Sequence, residues 1–414
     1  MKNLNSDNAE RIAAGAVLLL TPEAVRRRAH HFLDLARKNT LANFTIDENL
    51  LPAASAHVIR LLNARFPDRK VPFHARWRHF LVQGVDRADI LFGTIKDRHE
   101  KARARFELAI TSVLLDAGAG GKWFYRDSTG QQFTRSEGLA IASLDMFANG
   151  FFSALENPLQ ADAEILQELT AANLAAAFQV TSENPMAGLD GRAALLSSLG
   201  KQVLAAPDYF PGKTTRPGNL YDHLLSKSVD NQLAAREILI SLLHALGPIW
   251  PDRLTLDGIS LGDTWLHKQA NSDGLPDGYI PFHKLSQWLA YSLIEPLHEA
   301  GITVTDVDGL TGLAEYRNGG LFIDYGIIQP SHKDILTDIH EPGSDVIVEW
   351  RALTVALLDK LAEMVRTDLG LDACALPLAS VLEAGSWAAG REIAKEKRED
   401  GASPIAIAAD GTVF

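Results

Sequence analysis

The stretch Glu349-Trp350-Arg351-Ala352-Leu353-Thr354-Val355-Ala356-Leu357-Leu358-Asp359-Lys360-Leu361-Ala362-Glu363-Met364-Val365-Arg366-Thr367-Asp368-Leu369 decides the fold class. Trp350, Leu353, Leu357, Leu361, Met364 and Val365 recur at the 3.6-residue period, which puts them on one face of a helix packed into a core. Working outward, the same reading gives helices over roughly 22–38, 138–148, 161–178, 191–205, 231–246, 283–299 and 378–398. The first of these opens at Thr21-Pro22-Glu23, a threonine N-cap followed by proline at the first helical position. Strand signals are few. Trp123 to Arg126, the turn Asp127-Ser128-Thr129-Gly130 and Gln131 to Thr134 read as a β-hairpin, and Gly319 to Ile328 reads as a second extended segment around Leu321-Phe322-Ile323. Strands do not alternate with helices as a parallel sheet requires, so the expected fold is mainly α with small β-hairpins. No repeat and no composition break divides the chain, so one compact unit is expected in two lobes, 1–190 with the hairpin near 123–134, and 191–414.

Across 414 residues, 40 Lys and Arg stand against 52 Asp and Glu, a net charge of −12. That balance lacks the basic face a phosphate backbone requires, and nucleic acid is excluded as a partner. With 46% hydrophobic and 22% charged residues, the chain has material for a large core and is not of disordered composition. The single cysteine, Cys374, cannot form an intramolecular disulfide; it reads as a small buried hydrophobe in a reducing, cytoplasmic protein. The apolar run Ala13 to Leu20 is too short to span a bilayer and follows Asp7, Glu10 and Arg11, so neither a membrane segment nor a signal peptide is expected. Oligomeric state is not legible.

Several familiar motifs fail. Gly118-Ala119-Gly120-Gly121 begins like a dinucleotide fingerprint, but Trp123 stands at the third glycine position. Gly212-Lys213-Thr214 ends like a phosphate loop, but Pro207 stands where its first glycine belongs. Thirteen histidines show no metal-binding spacing, and His332, Asp334, Asp338 and His340 read as a polar exposed segment; no metal site is expected. Gly258-Ile259-Ser260-Leu261-Gly262 does match the G-x-S-x-G elbow, which would make Ser260 a nucleophile on a strand-to-helix turn.

Polar groups set in an apolar matrix between Leu261 and Asp324 are more informative. Gly262-Asp263-Thr264-Trp265-Leu266-His267 places an acid and two ring systems within five positions. Pro281-Phe282-His283 then opens a helix on which Lys284, Gln287, Tyr291 and Glu295 form one stripe, a pattern that lines a cavity or pairs internally. Glu315-Tyr316-Arg317-Asn318, two glycines and Asp324 read as a ligand loop. Upstream, Asp116, the Gly-rich turn, Trp123 and Tyr125 form a companion that could cradle a phosphate or sugar, with Arg135 as the anion partner.

The strings LLDAGAGGKWFY, RSEGLAIAS, IWPDR, LGDTWLH, PFHKLSQWLAYSLIEPL and LTGLAEYRNGGLFIDYG closely resemble the uracil-catabolism protein four family of the ring-opening pyrimidine degradation pathway, from about Thr21 to Asp410-Gly411-Thr412-Val413-Phe414. The resemblance implies a role in using uracil as a nitrogen source, in a route where a ribonucleotide is made, its base is opened, and urea and a three-carbon acid emerge. A second resemblance is to the queuosine salvage family, helical N-glycosidases related in fold to DNA glycosylases. Its motifs are matched by Asp116 with Trp123 and Tyr125, by Asp263-Thr264-Trp265, and by Leu285, Ser286, Gln287, Leu289, Ala290 and Tyr291. One departure stands out: Phe282 occupies the place of that family's acid, so Asp263, Asp116 or Asp277 would have to serve instead.

Together the two resemblances imply a hydrolase cleaving the N-glycosidic bond of a ring-opened uridine nucleotide such as ribosylurea 5′-phosphate. Asp263, Asp116 and Glu315 are its candidate catalytic acids. Trp123, Tyr125, Trp265, His267, His283, Gln287, Tyr291, Asn318 and Asp324 are candidate substrate contacts, with Arg135, Lys284 or Arg317 on the phosphate. The implied partner is a small nucleotide-derived molecule, and no cofactor is required. Two other readings stay open: an amide or ureide hydrolase acting through Ser260, and a nucleotide sensor without chemistry.

Overall fold

The computed structural model describes residues 15–154, 159–271 and 274–408. The start of the Ala13–Leu20 run and the closing Asp410–Phe414 motif lie outside them. The fold is mainly α, and its described strands form seven two-stranded pairs, five antiparallel and two parallel. No described helix is long and apolar enough to cross a membrane.

The residues group into two compact units, each discontinuous in sequence. The first comprises the chain up to His74, Arg253–Gln287 and Asp306–Ala408; the second comprises Ala75–Asp252 and Trp288–Thr305, so that residue 190 falls inside it.

In the first unit the helix Asp345–Leu369 is the core element. The Ser344 hydroxyl caps it by accepting from Ile347 N–H, and Gly370 ends it in the left-handed conformation at φ 65°. Its apolar face packs against the helix Pro22–Arg37, whose cap is Thr21 as the sequence predicts. Arg26 bonds both oxygens of Asp359 across that contact, at 2.9 and 3.2 Å. The strands Thr264–Leu266 and Tyr279–Pro281 pair antiparallel, with Trp265 opposite Ile280.

The second unit is built on the helices Arg98–Leu114, Arg135–Ala148, Leu189–Ala205 and Ala235–Leu246, with the part of the helix Lys284–Glu299 that begins at Trp288. The expected hairpin is present, with Tyr125–Arg126 paired to Gln132–Phe133.

Four expectations need correction. Gly319 to Ile328 is not extended: Tyr316–Asp324 is a helix, started by the Glu315 carboxylate capping its first N–H groups, and only Ile328–Pro330 is a strand. The span 161–178 breaks into Ala163–Glu168 and Ala171–Ala177, because Thr170 and Asn173 form a capping box that starts a new helix. The span 378–398 contains a turn of π-helix at Leu382–Ser386 between two α-helical pieces. Cys374 is exposed rather than buried, in a turn beyond the end of Asp345–Leu369 where Asp372 Oδ1 accepts from Ala375 N–H.

Candidate active site

Asp263 follows Gly262, whose φ of +56° favours glycine, at the start of the strand pair. Its carboxylate accepts from Arg351 Nη1 and Nη2 at 2.9 and 2.7 Å, from Trp265 Nε1 at 2.7 Å and from the backbone N–H of Lys284 at 3.0 Å. Four donors fill the four acceptor positions of a carboxylate. Burial pushes its pKa up, but the charge and hydrogen bonds of Arg351 outweigh this and hold it well below the usual range. Asp263 is therefore a fixed anion that orients its neighbours.

Arg351 is itself buried and lies over the Phe282 ring at 4.1 Å, so the phenylalanine at the departure point is the platform for a guanidinium. Beside it, His283 adopts φ +50° and its Nε2 donates to the Leu19 carbonyl at 2.9 Å. Burial lowers the pKa of this imidazole, which keeps it neutral, and its Nδ1 is buried without a hydrogen-bond partner among the described residues.

Glu315 behaves differently. Its Oε1 accepts from Asn318 N–H at 2.6 Å and its Oε2 from Arg317 N–H at 2.8 Å, at the N-terminus of the helix Tyr316–Asp324. Each oxygen thus has an acceptor position left over. Burial raises its pKa, against the pull of those two amides and of the nearby Lys284. Lys284 opens the helix Lys284–Glu299 with its backbone bonded to Asp263 and its charge felt by Glu315. The first unit therefore holds two carboxyl groups of opposite tendency, Asp263 kept ionised by Arg351 and bonded by the Lys284 backbone, and Glu315 shifted toward its neutral form within the field of the Lys284 charge.

The remaining predicted residues of this unit are mostly engaged in holding structure. Gln287 and Thr311 bond each other twice, side chain to side chain at 2.8 Å and through Thr311 N–H to Gln287 Oε1 at 3.3 Å. Asn318 links the Leu313 carbonyl to the Ser386 hydroxyl. Arg317 reaches the Gly401 carbonyl, His267 accepts from Gln269 N–H and sits 3.4 Å from Glu349, and Asp324 is clamped by both terminal nitrogens of Arg398.

Asp116, Trp123, Tyr125, Arg135 and Tyr291 belong to the second unit. There Trp123 is buried with its Nε1 on the Phe178 carbonyl, and the Tyr125 hydroxyl donates to Asp145. Arg135 is an exposed first residue of a helix with φ +55°, Tyr291 is fully buried, and Asp116 pairs with Arg76 at 2.7 Å.

Ser260 does not sit on an elbow. It lies in the two-residue strand Ile259–Ser260, paired with Thr255–Leu256, and the next element is another strand rather than a helix. Among the described residues no three His, Cys, Asp or Glu side chains converge as metal ligands.

Sequence reasoning missed Arg351, His74 and Glu383. Arg351 was hidden in a helix read as ordinary core, although a charge between Trp350 and Leu353 on a buried helix was itself a signal. His74 Nδ1 meets Glu383 Oε2 at 2.9 Å, and Arg65 holds the other oxygen at 2.9 Å, within the π-helical turn. Turns of this kind are often retained at functional sites.

Comparison with known proteins gives a consistent result. The chain is 41% identical over 409 residues to "Protein urg3" of Schizosaccharomyces pombe, covering 96% of this chain and 98% of that protein. It is 40% identical over 380 residues to "Uracil catabolism protein 4" of Lachancea kluyveri, covering 83% of this chain and 85% of that one. The family model described as "Protein of unknown function (DUF1688)" matches residues 18–414, and with two such relatives over nearly its whole length the chain belongs to that family.

Proposed function

We propose that the protein is a hydrolase of uracil catabolism that cleaves the N-glycosidic bond of a ring-opened uridine nucleotide, most simply ribosylurea 5′-phosphate, releasing urea and ribose 5-phosphate. The pathway is supported by the name of a relative 40% identical, and the reaction class by the sequence resemblance to the queuosine salvage N-glycosidases. The observation that carries the chemistry is the contrast between two carboxyl groups of one unit, Asp263 saturated by four donors and displaced downward, Glu315 held by two backbone amides and displaced upward. Environments that push two acids apart assign an acid and a fixed anion.

In this reading Glu315 reacts in its neutral form. Its proton passes to the departing urea nitrogen as the C–N bond breaks and the bonding pair moves to nitrogen. Positive charge develops on the sugar, and a water molecule adds its oxygen to the anomeric carbon. The water's proton returns to the Glu315 carboxylate, which the two helix N-terminal amides and Lys284 steady in between. Asp263 keeps Arg351 and the first turn of Lys284–Glu299 in place and takes no proton.

The test is incubation of the purified protein with ribosylurea and its 5′-phosphate, following urea and sugar by mass spectrometry. Both products are expected, and Glu315→Gln, which keeps an acceptor for one capping amide, should lower kcat by about 10²- to 10⁴-fold at nearly unchanged Tm. Turnover unaffected by that substitution would remove Glu315 from the mechanism.

A further inference from the structure

A second polar centre lies within the other unit, around a residue that no motif singles out. Arg76 begins the short turn Arg76–Phe80 and has no exposed surface. Its Nε donates to Ser112 Oγ at 2.7 Å and its Nη1 to Asp116 Oδ2 at 2.7 Å, while the guanidinium lies 5.6 Å from the Trp288 ring and 5.9 Å from the Phe80 ring. Its Nη2 is buried and has no hydrogen-bond partner among the described residues. Asp116 accepts from Arg76 through Oδ2 alone, and 7% of its side chain reaches the surface. A fork-to-fork pair would use both nitrogens and both oxygens; this single-point pair leaves Nη2 and Oδ1 outside it.

The backbone that carries Asp116 is fixed on one side and open on the other. Arg192 bonds the carbonyls of Leu115, Ala117 and Ala187, which fixes the backbone on both sides of Asp116. The following Gly118 and Gly121 face open space, and Gly120 is held at φ +86°. A buried donor on a charged group is costly to leave unmade. A partner that satisfies Nη2 offers it an acceptor, and the second oxygen of Asp116 is an acceptor for a donor on the same partner. A carboxylate offers only acceptors, and any anion would face Asp116 as well as Glu137, whose charge Arg76 also feels.

We infer that Arg76 and Asp116 form a binding subsite for a neutral planar amide or ureide group, its carbonyl oxygen on Arg76 Nη2 and its N–H on Asp116 Oδ1. The subsite stands on the geometry of the second unit and does not depend on the role given to Glu315. Its test is ligand-observed NMR titration of the whole chain with propylurea, butanoate and inorganic phosphate. Propylurea is expected to bind, the two anions about tenfold more weakly or worse, and Arg76→Lys, which keeps the charge but loses the second nitrogen, to weaken propylurea about tenfold. Should Arg76→Lys fail to fold, Ser112→Ala keeps the ion pair but frees Nε, and it should weaken propylurea about threefold. Butanoate or phosphate binding as tightly as propylurea, or propylurea affinity unchanged in the variant that folds, would overturn the proposal. Because the readout is binding rather than urea release, such a failure is distinguishable from failure of the hydrolase reading.

Discussion

Asp263 and Glu315 are both partly buried carboxyl groups of one unit, and the difference between them is the number and charge of their donors. Asp263 receives four, two of them from a guanidinium, whereas Glu315 receives two neutral amides, too few to offset desolvation. That contrast has consequences for each group. Asp263→Asn leaves Arg351 buried opposite an amide, and the expected loss of stability is about 3 kcal/mol by urea denaturation, the range for removing one partner of a buried pair. Because the folded-state pKa of Asp263 lies below its ordinary 3.8, its contribution is present above pH 3.8 and is lost as pH falls through the depressed value; the variant's stability should fall less over that acid range. Glu315 has the opposite sign, with a pKa above its ordinary 4.5, so catalysis by its neutral form should decline as pH rises through that raised value. Lys284 pulls the Glu315 pKa down, so Lys284→Met should move the decline of the pH–rate profile to higher pH; a profile left in place would show that another group titrates.

At the scale of the element, the helix Tyr316–Asp324 buries Leu321 and Phe322 and is brought close to its neighbours at two glycines. A Cβ added at Gly319 would lie 2.7 Å from the indole of Trp350 and 2.8 Å from Thr354 Oγ1, both on the helix Asp345–Leu369. Gly319→Ala should therefore destabilise the protein by about 1–3 kcal/mol through overpacking and shift the cap that holds Glu315. Gly320→Ala, with Pro404 Cδ at 3.2 Å, should cost less, and equal losses in chemical denaturation would contradict this packing account. The same element marks how far the sequence could be read. Apolar periodicity located Pro22–Arg37, Lys284–Glu299 and Asp345–Leu369 because each buries one continuous face against a neighbour. It failed at Gly319-Gly320, where the helix is specified by a capping acid and by close approach of backbone to a ring. It also passed over Arg98–Leu114, whose charged first half is spent on ion pairs of Arg103 and Arg105 with distant acids. The polar stripe Lys284, Gln287, Tyr291, Glu295 was legible as a stripe, but its partners were not. Gln287 is met by Thr311 and Glu295 by Arg78, and spacing along one helix carries no information about residues that far away. For the site, the acids Asp263 and Glu315 could be picked out because they interrupt an apolar matrix; Arg351, which sets the charge of Asp263, interrupts one too, but the spacing does not say which acid it meets.

For the whole molecule, the discontinuity of the two units governs how the chain can be divided. The second unit takes Ala75–Asp252 from one part of the sequence and Trp288–Thr305 from another, and the later piece is bonded in throughout. Ser292 Oγ accepts from the backbone N–H of Arg76, and its carbonyl accepts from Trp77 Nε1 at 2.6 Å. Arg78 bonds both oxygens of Glu295, and Arg105 bonds Glu299 at 2.9 Å. Val304 lies in the parallel pair that joins Thr303–Thr305 to Gln232–Ala234. A fragment spanning 75–252 would keep Trp77, Arg76 and Arg105 but expose their side chains to water without these partners, and would lose the apolar face that Leu293, Ile294 and Leu297 bury. Such losses exceed the few kcal/mol by which a domain is ordinarily stable. The expected outcome is that the 75–252 fragment shows neither a cooperative thermal transition nor protected amides in hydrogen exchange. The same fragment with residues 288–305 joined to its C-terminus by a flexible linker should recover both, because the helix and strand return to the sites from which they were cut. Cooperative unfolding of the fragment alone would show that the helix is an accessory to this unit, and it would then be free to serve the Lys284 end, where its first turn is anchored to Asp263.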